Sequence, residues 1–219
     1  KLISDGGVKF SYSHSVIKGS GVDTKIFRPS NLYPTSFTVL IATRLLWDKG
    51  IKEFVDACKL ISKQNLNIFF MVAGEIDSGN PSSVSECNVN QWQNIPNLTF
   101  LGHVSNMPNL LSKVNLVVLP SSYGEGVPKI LTEAAASGIP LITTDTPGCR
   151  EIVKDGENGI FIPPKDANSL ADAILHLFND PQKCRSFSAK SRELALKHFD
   201  VREVNKRTLQ VYQKALVNF

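Results

Sequence analysis

Much of the chemistry open to this 219-residue chain is excluded by what the sequence lacks. No apolar stretch approaches the roughly 20 residues that span a bilayer, so no membrane-crossing helix is expected. The four cysteines, Cys58, Cys87, Cys149 and Cys184, show no CxxC spacing and no neighbouring His pair. Neither a zinc site nor a disulfide framework is expected, and reduced thiols in a cytoplasm are the natural reading. There is no DxD-type metal motif. No Lys/Arg-rich run is interleaved with aromatic residues, and the net charge of +4 is mild, which argues against a nucleic-acid groove. A small anion or an anionic membrane surface is the better partner. The loop after the first strand has no GxGxxG and no acidic residue ends the next strand, which removes a dinucleotide-dependent oxidoreductase. Lys1 stands where an initiator Met would, with no signal-peptide pattern behind it, and we expect a segment of a longer protein.

What is present reads as one α/β domain. Short apolar runs at 39–43, 67–73, 98–101, 115–119, 140–144 and 159–162 alternate with segments of helical period, the pattern of βαβ units on a parallel sheet. Ile51, Phe54, Val55, Cys58 and Ile61 place one apolar stripe on the first helix. Further helices are expected near 84–93, 107–113, 129–137 and 166–178. Two more, 181–198 and 201–217, follow with no strand between them. The fold class is therefore a doubly wound, mostly parallel, Rossmann-like sheet with a C-terminal helical pair. Val204, Thr208, Val211, Tyr212 and Ala215 give the last helix an apolar side whose partner is expected in another domain. Residues 1–30 read as an interdomain linker and lead-in, and 31–219 as the Rossmann-like domain itself. The Ser-, Gly-, Asn- and Pro-rich segment from Glu75 to Ser85 reads as a flexible surface connection. Phe54, Phe69, Phe70 and Phe100 read as core, and Trp47 as either a lid or a staple.

Two loops carry chemistry. In Ser121 to Arg150, Glu125 sits after a strand and Pro128 suits the first position of the following helix, whose free amide groups favour an anion such as a diphosphate. Glu133, eight residues on and four after Lys129, can accept hydrogen bonds from ribose hydroxyls. The competing reading is an exposed i, i+4 pair with Lys129, contributing roughly 0.2 to 0.5 kcal/mol. The second loop is Arg44-Leu-Leu-Trp-Asp-Lys49-Gly50, beyond the first strand. Arg44 offers a planar fork and Lys49 a compact charge, which together neutralise a pyrophosphate leaving group. Cys149 has no His beside it and is assigned to packing. Of the four histidines, His14, His103, His176 and His198, only His103 is a candidate for ligand contact.

In this order and in these loops, the motifs resemble family 4 of the retaining glycosyltransferases, which have the two-domain GT-B fold. Gly19-Ser20-Gly21-Val22-Asp23 with Phe27 resembles the turn that opens the family's C-terminal domain. Arg44 and Lys49-Gly50 resemble its phosphate-binding pair, and Glu125 to Glu133 matches its E-x7-E motif, followed by Glu-Ala-Ala-Ala-Ser-Gly-Ile-Pro. The sequence departs from the commonest pattern at Thr146-Pro147-Gly148-Cys149, where many members have paired glycines. The resemblance implies that Arg44 and Lys49 stabilise the departing diphosphate, Glu125 binds the donor sugar and Glu133 holds the ribose. It also implies that the backbone amides of Gly126, Val127, Lys129 and Ile130 serve sugar and phosphate, with Gly74, His103 and Val104 near the base. The expected activity is transfer of a hexosyl group, with retention and without a cofactor or metal, from a nucleoside-diphosphate sugar to a glycan or lipid-linked acceptor. An N-terminal domain would supply the acceptor site, so this segment alone is expected to transfer little. The expected location is the cytoplasm, at the cytoplasmic face of a membrane. A stand-alone nucleotide-binding or regulatory module is the alternative. The sequence leaves UDP, GDP and ADP donors open.

Overall fold

Each of the six apolar runs forms a strand in a computed structural model that describes residues 17, 19–30, 36–124 and 126–217. β1 (Phe37–Ala42), β2 (Ile68–Ala73), β3 (Leu98–Gly102), β4 (Leu116–Leu119), β5 (Leu141–Thr144) and β6 (Gly159–Ile162) make one parallel sheet in the order β3-β2-β1-β4-β5-β6. β4 lies in the middle of the sheet with helices over both faces, which is why Leu116–Leu119 is apolar at every position rather than alternating. The strand order reverses between β1 and β4, and such a switch opens a crevice outside the carboxyl ends of the strands.

The helices follow from local signals. α1 (Ile51–Ser62) buries Ile51, Phe54, Val55, Cys58 and Ile61, the stripe read from the sequence. α2 (Glu86–Trp92), α3 (Met107–Leu111) and α6 (Ala167–Asn179) begin at Ser85, Asn106 and Asp166. Their side chains accept the amide protons of Asn88, Asn109 and Ser169, donors that a first turn otherwise leaves orphaned. α1 and α6 close over one face of the sheet around Phe54 and Phe70. α3 and α4 (Lys129–Ala136) close over the other around Leu119 and Leu131. A single 3-10 turn at Trp47–Lys49 and the six-residue α5 (Pro147–Ile152) were not expected, both being too short for periodicity to register.

The C-terminal pair, α7 (Pro181–His198) and α8 (Val201–Val217), has the expected bounds. Its junction is stitched to the lead-in: the Val22 amide donates to the Phe199 carbonyl at 2.7 Å, and Val201 donates to the Val22 carbonyl at 3.0 Å. The Asp200 carboxylate accepts from Thr24 Oγ1 and Arg202, contacts that hold its pKa far below the usual carboxylate range. Of the apolar side expected on α8, Val204 is buried, whereas Tyr212 is 63% exposed and lies near the exposed Leu209 and Leu216. No helix among the described residues is long and apolar enough to cross a membrane.

Two expectations are corrected. Glu75 to Ser85 is not a loose connection. Leu45 donates to the Glu75 carbonyl at 3.0 Å, Trp47 to Ser82 at 2.9 Å and Val84 to Leu45 at 2.8 Å, so backbone pairing with the loop after β1 overrides a composition that suggests freedom. Phe69 is not core but 38% exposed, because strand alternation puts it on the opposite face from the buried Phe70.

The cysteines differ in access. Cys87 is exposed, Cys58 and Cys149 are buried, and Cys149 Sγ accepts a hydrogen bond from Thr143 Oγ1 at 3.1 Å. Burial pushes the Cys58 and Cys184 thiols up to about 11. A chromogenic disulfide reagent at mildly alkaline pH is therefore expected to modify Cys87 at least about tenfold faster than the other three thiols, with mass spectrometry assigning the sites.

Candidate functional site

β1 ends at Ala42, and the chain continues through Thr43 and Arg44 into two buried anchors, Leu45 and Leu46. The 3-10 turn closes at Gly50, whose φ is +79°, and a Cβ there would stand 2.4 Å from the Pro120 carbonyl oxygen. Glycine thus lets the loop after β1 press against the loop after β4. The Asp48 carbonyl accepts from the Ser122 amide at 2.9 Å and from Ser121 Oγ at 3.0 Å, so the two loops singled out in the sequence form one unit. Trp47 meets Trp92 edge-on at 5.8 Å, which makes it a staple rather than a lid.

On the other side of β1 a cavity of about 600 Å³ opens over the carboxyl ends of β1, β2 and β3. Its floor depends on Gly74, whose φ is +144° and whose absent Cβ would fall 1.8 Å from the Thr43 carbonyl oxygen. The Gly74 amide donates to the Gly102 carbonyl at 2.8 Å, which draws the chain across the ends of the strands. Arg44 reaches this cavity from β1, and Gly74 from β2. His103 and Val104 come from the turn after β3, and Lys129, Ile130 and Glu133 from α4. Each of these was a candidate in the sequence. Lys49, Gly126 and Val127 are not among the residues lining it, and Glu125 and His14 lie outside the described residues. Thr43, Glu75, Ile76, Asp77 and Met107 also line the cavity and were missed. The signal that pointed to Arg44, a position just past the carboxyl end of a strand, applies equally to Glu75, Ile76 and Asp77 after β2.

The electrostatics separate the candidates. Lys129 Nζ lies 3.5 Å from Glu133 Oε1, but the lysine side chain is 77% exposed and that of the glutamate only 9%. This is not the solvated surface pair that the spacing also allowed. Burial pushes the Glu133 carboxyl above its ordinary value, and Lys129 pulls it part of the way back. Arg44 Nη1 donates to Asp77 Oδ2 at 2.7 Å. Pro128 is the N-cap of α4, not its first residue: its ψ of 126° is extended, and its carbonyl accepts from Leu131 at 3.2 Å. The amides of Lys129 and Ile130 therefore precede the first intrahelical bond at the cavity wall, the arrangement that favours an anion. Among the described residues no group of three or more His, Cys, Asp or Glu side chains has the geometry of a metal site.

The sequence and the fold have known counterparts. Residues 22–194 match the family described as glycosyl transferases group 1, more than half of the chain. The chain is 32% identical over 180 residues to the N,N'-diacetylbacillosaminyl-diphospho-undecaprenol alpha-1,3-N-acetylgalactosaminyltransferase of Campylobacter jejuni, covering 82% of this chain and 45% of that one. Among solved structures, the sucrose-phosphate synthase of Thermosynechococcus elongatus superposes with a TM-score of 0.80 at 26% identity, over 91% of this chain and 52% of that one. HepE of Anabaena, solved with UDP and glucose, shares the fold with a TM-score of 0.78 at 22% identity, over 88% of this chain and 55% of that one. The chain spans about half the length of these relatives. The six-stranded parallel sheet is the Rossmann-like fold of the GT-B glycosyltransferases, and this chain belongs to the group 1 glycosyltransferase family.

Proposed function

We propose that the chain is the donor-binding domain of a retaining glycosyltransferase of family 4. The observation that carries the reading is the single cavity in which Arg44, Gly74, His103, Val104, Lys129, Ile130 and Glu133 converge from four separate elements. In this reading the base lies against Gly74, His103 and Val104, and the buried Glu133 carboxylate accepts from the ribose hydroxyls. The diphosphate meets Arg44, Lys49 and the amides at the start of α4, while Glu125, Gly126 and Val127 serve the sugar. During transfer the bond between the anomeric carbon and the phosphate oxygen breaks, the acceptor hydroxyl oxygen bonds to that carbon from the same face, and its proton passes to the departing diphosphate oxygen. The negative charge that develops on the diphosphate is met by Arg44 and Lys49, so the neutralisation needs no metal.

The acceptor is a glycan or a lipid-linked sugar at the cytoplasmic face of a membrane, a reading supported by the lipid-linked acceptor in the name of the C. jejuni relative. A second, N-terminal domain supplies the acceptor site. The chain's coverage of about half of its relatives and the exposed Leu209, Tyr212 and Leu216 on α8 are consistent with a further domain packed there.

Calorimetric titration of the protein with UDP, GDP and ADP tests this reading. One nucleotide is expected to bind saturably, and Arg44→Ala to weaken it by about tenfold to a hundredfold, the worth of charge-assisted hydrogen bonds to phosphate. If none of the three binds, or Arg44→Ala binds as well as the parent, the donor site is not here.

A further inference from the structure

Arg44 is the cation on which the donor reading leans most, and its guanidinium is already engaged by Asp77 at 2.7 Å. Asp77 is not a passing surface acid. Its amide is held by Ser83 Oγ at 3.1 Å, and its loop is tied to the one bearing Arg44 through the Leu45–Glu75 and Val84–Leu45 hydrogen bonds. Both side chains line the same cavity, so the carboxylate stands at the place where a diphosphate would enter.

We propose that Asp77 is an internal counter-anion: it occupies Arg44 while the site is empty and opposes the diphosphate of an incoming or departing nucleotide. This rests on the donor-site reading above. The ion pair does not lock Arg44, because side chains 62% and 31% exposed form a weak, water-screened pair. The planar fork also carries five N–H groups, of which Asp77 takes one, leaving donors for a phosphate oxygen. A fixed negative charge beside a diphosphate nevertheless raises the energy of the bound state. The free nucleoside diphosphate bears an additional ionisable oxygen compared with its sugar conjugate, so the carboxylate disfavours product more than substrate. Arg44 can thus stabilise the leaving group during transfer without retaining it afterwards.

Asp77→Asn removes the charge while keeping the shape and an acceptor for Arg44. In calorimetric titration UDP is expected to bind Asp77→Asn about fivefold to tenfold more tightly than the parent, a gain that shrinks at high salt. Uridine, which has no phosphate, is expected to bind both proteins alike. Asp77→Ala, which also deletes the acceptor, is expected to act in the same direction. If Arg44→Ala weakens UDP binding while both Asp77 variants leave it unchanged or weaken it, the counter-anion role is overturned and the donor site stands. An equal gain for uridine and UDP overturns it too, because the effect would then not involve the phosphates. If Arg44→Ala leaves UDP binding intact, the donor reading fails and this proposal fails with it.

Discussion

Glu133→Gln is expected to weaken nucleotide binding by roughly tenfold or more while raising the stability of the fold by about 1 kcal/mol. The two effects have one cause. Glu133 is only 7% exposed, its carboxyl is pushed up by burial, and the lysine facing it, Lys129, sits largely in water. The folded chain therefore bears a desolvation cost for holding this charge, and an amide of the same shape removes it. A ribose hydroxyl donates more strongly to a carboxylate than to an amide oxygen, so the ligand loses what the fold gains. The pH dependence carries the same signature. Because the folded-state pKa lies above the unfolded one, the folded chain binds the extra proton in the window between them, and this group's contribution to stability falls as pH rises through that window. Nucleotide affinity moves the other way, declining as pH drops through the folded value and the carboxylate is protonated. Taken as the difference between the parent and Glu133→Gln, in which Asp200 and the other carboxylates cancel, denaturant unfolding and calorimetry across that window are expected to give opposite slopes. Parallel slopes would mean that Glu133 does not touch the nucleotide.

Gly74→Ala is expected to cost about 4 kcal/mol or to prevent folding, and to abolish nucleotide binding wherever folded protein is obtained. The backbone there has φ +144°, and the new Cβ would lie 1.8 Å from the Thr43 carbonyl oxygen, a main-chain atom that cannot rotate away. Relief requires separating the ends of β1 and β2, which are paired through Ala42 and Ala73 and which form the floor of the cavity. Gly102→Ala is the matched control. Its φ of +64° is also left-handed, but nothing lies within 4 Å of the added atom, so a loss of about 1 kcal/mol is expected. Comparable losses in the two variants, measured by denaturant unfolding, would show that conformational preference rather than contact dominates at Gly74.

The site was partly legible because its parts are short, local and placed by a rule. Arg44, Gly74 and His103 each follow a strand, and an apolar run followed by a helical stripe marks where a parallel strand ends. Apolar periodicity is equally local, so the helices it marked, α2, α3 and α6 among them, were placed to within one or two residues, whereas the six-residue α5 was too short to be read. Asp77 was missed for a related reason. The composition of its loop suggests freedom, and the partners that remove that freedom, Leu45 and Trp47, lie some thirty residues away in the chain.

From the sequence alone one can derive six parallel strands, the helical stripe of α1, the two helices at the C-terminus and the order in which two candidate binding loops follow β1 and β4. These rest on apolar periodicity and on the alternation of apolar runs with helical stripes, patterns set within a turn or two of chain. Only the tertiary structure decided that Glu133 is buried rather than paired in water, that Phe69 faces outward, that Trp47 is stapled to Trp92, and that Asp77 stands on Arg44. Each of these is a matter of what distant segments bring alongside. The cost of burying a charge, or the charge state of a pocket, is set by those neighbours and not by the residue itself.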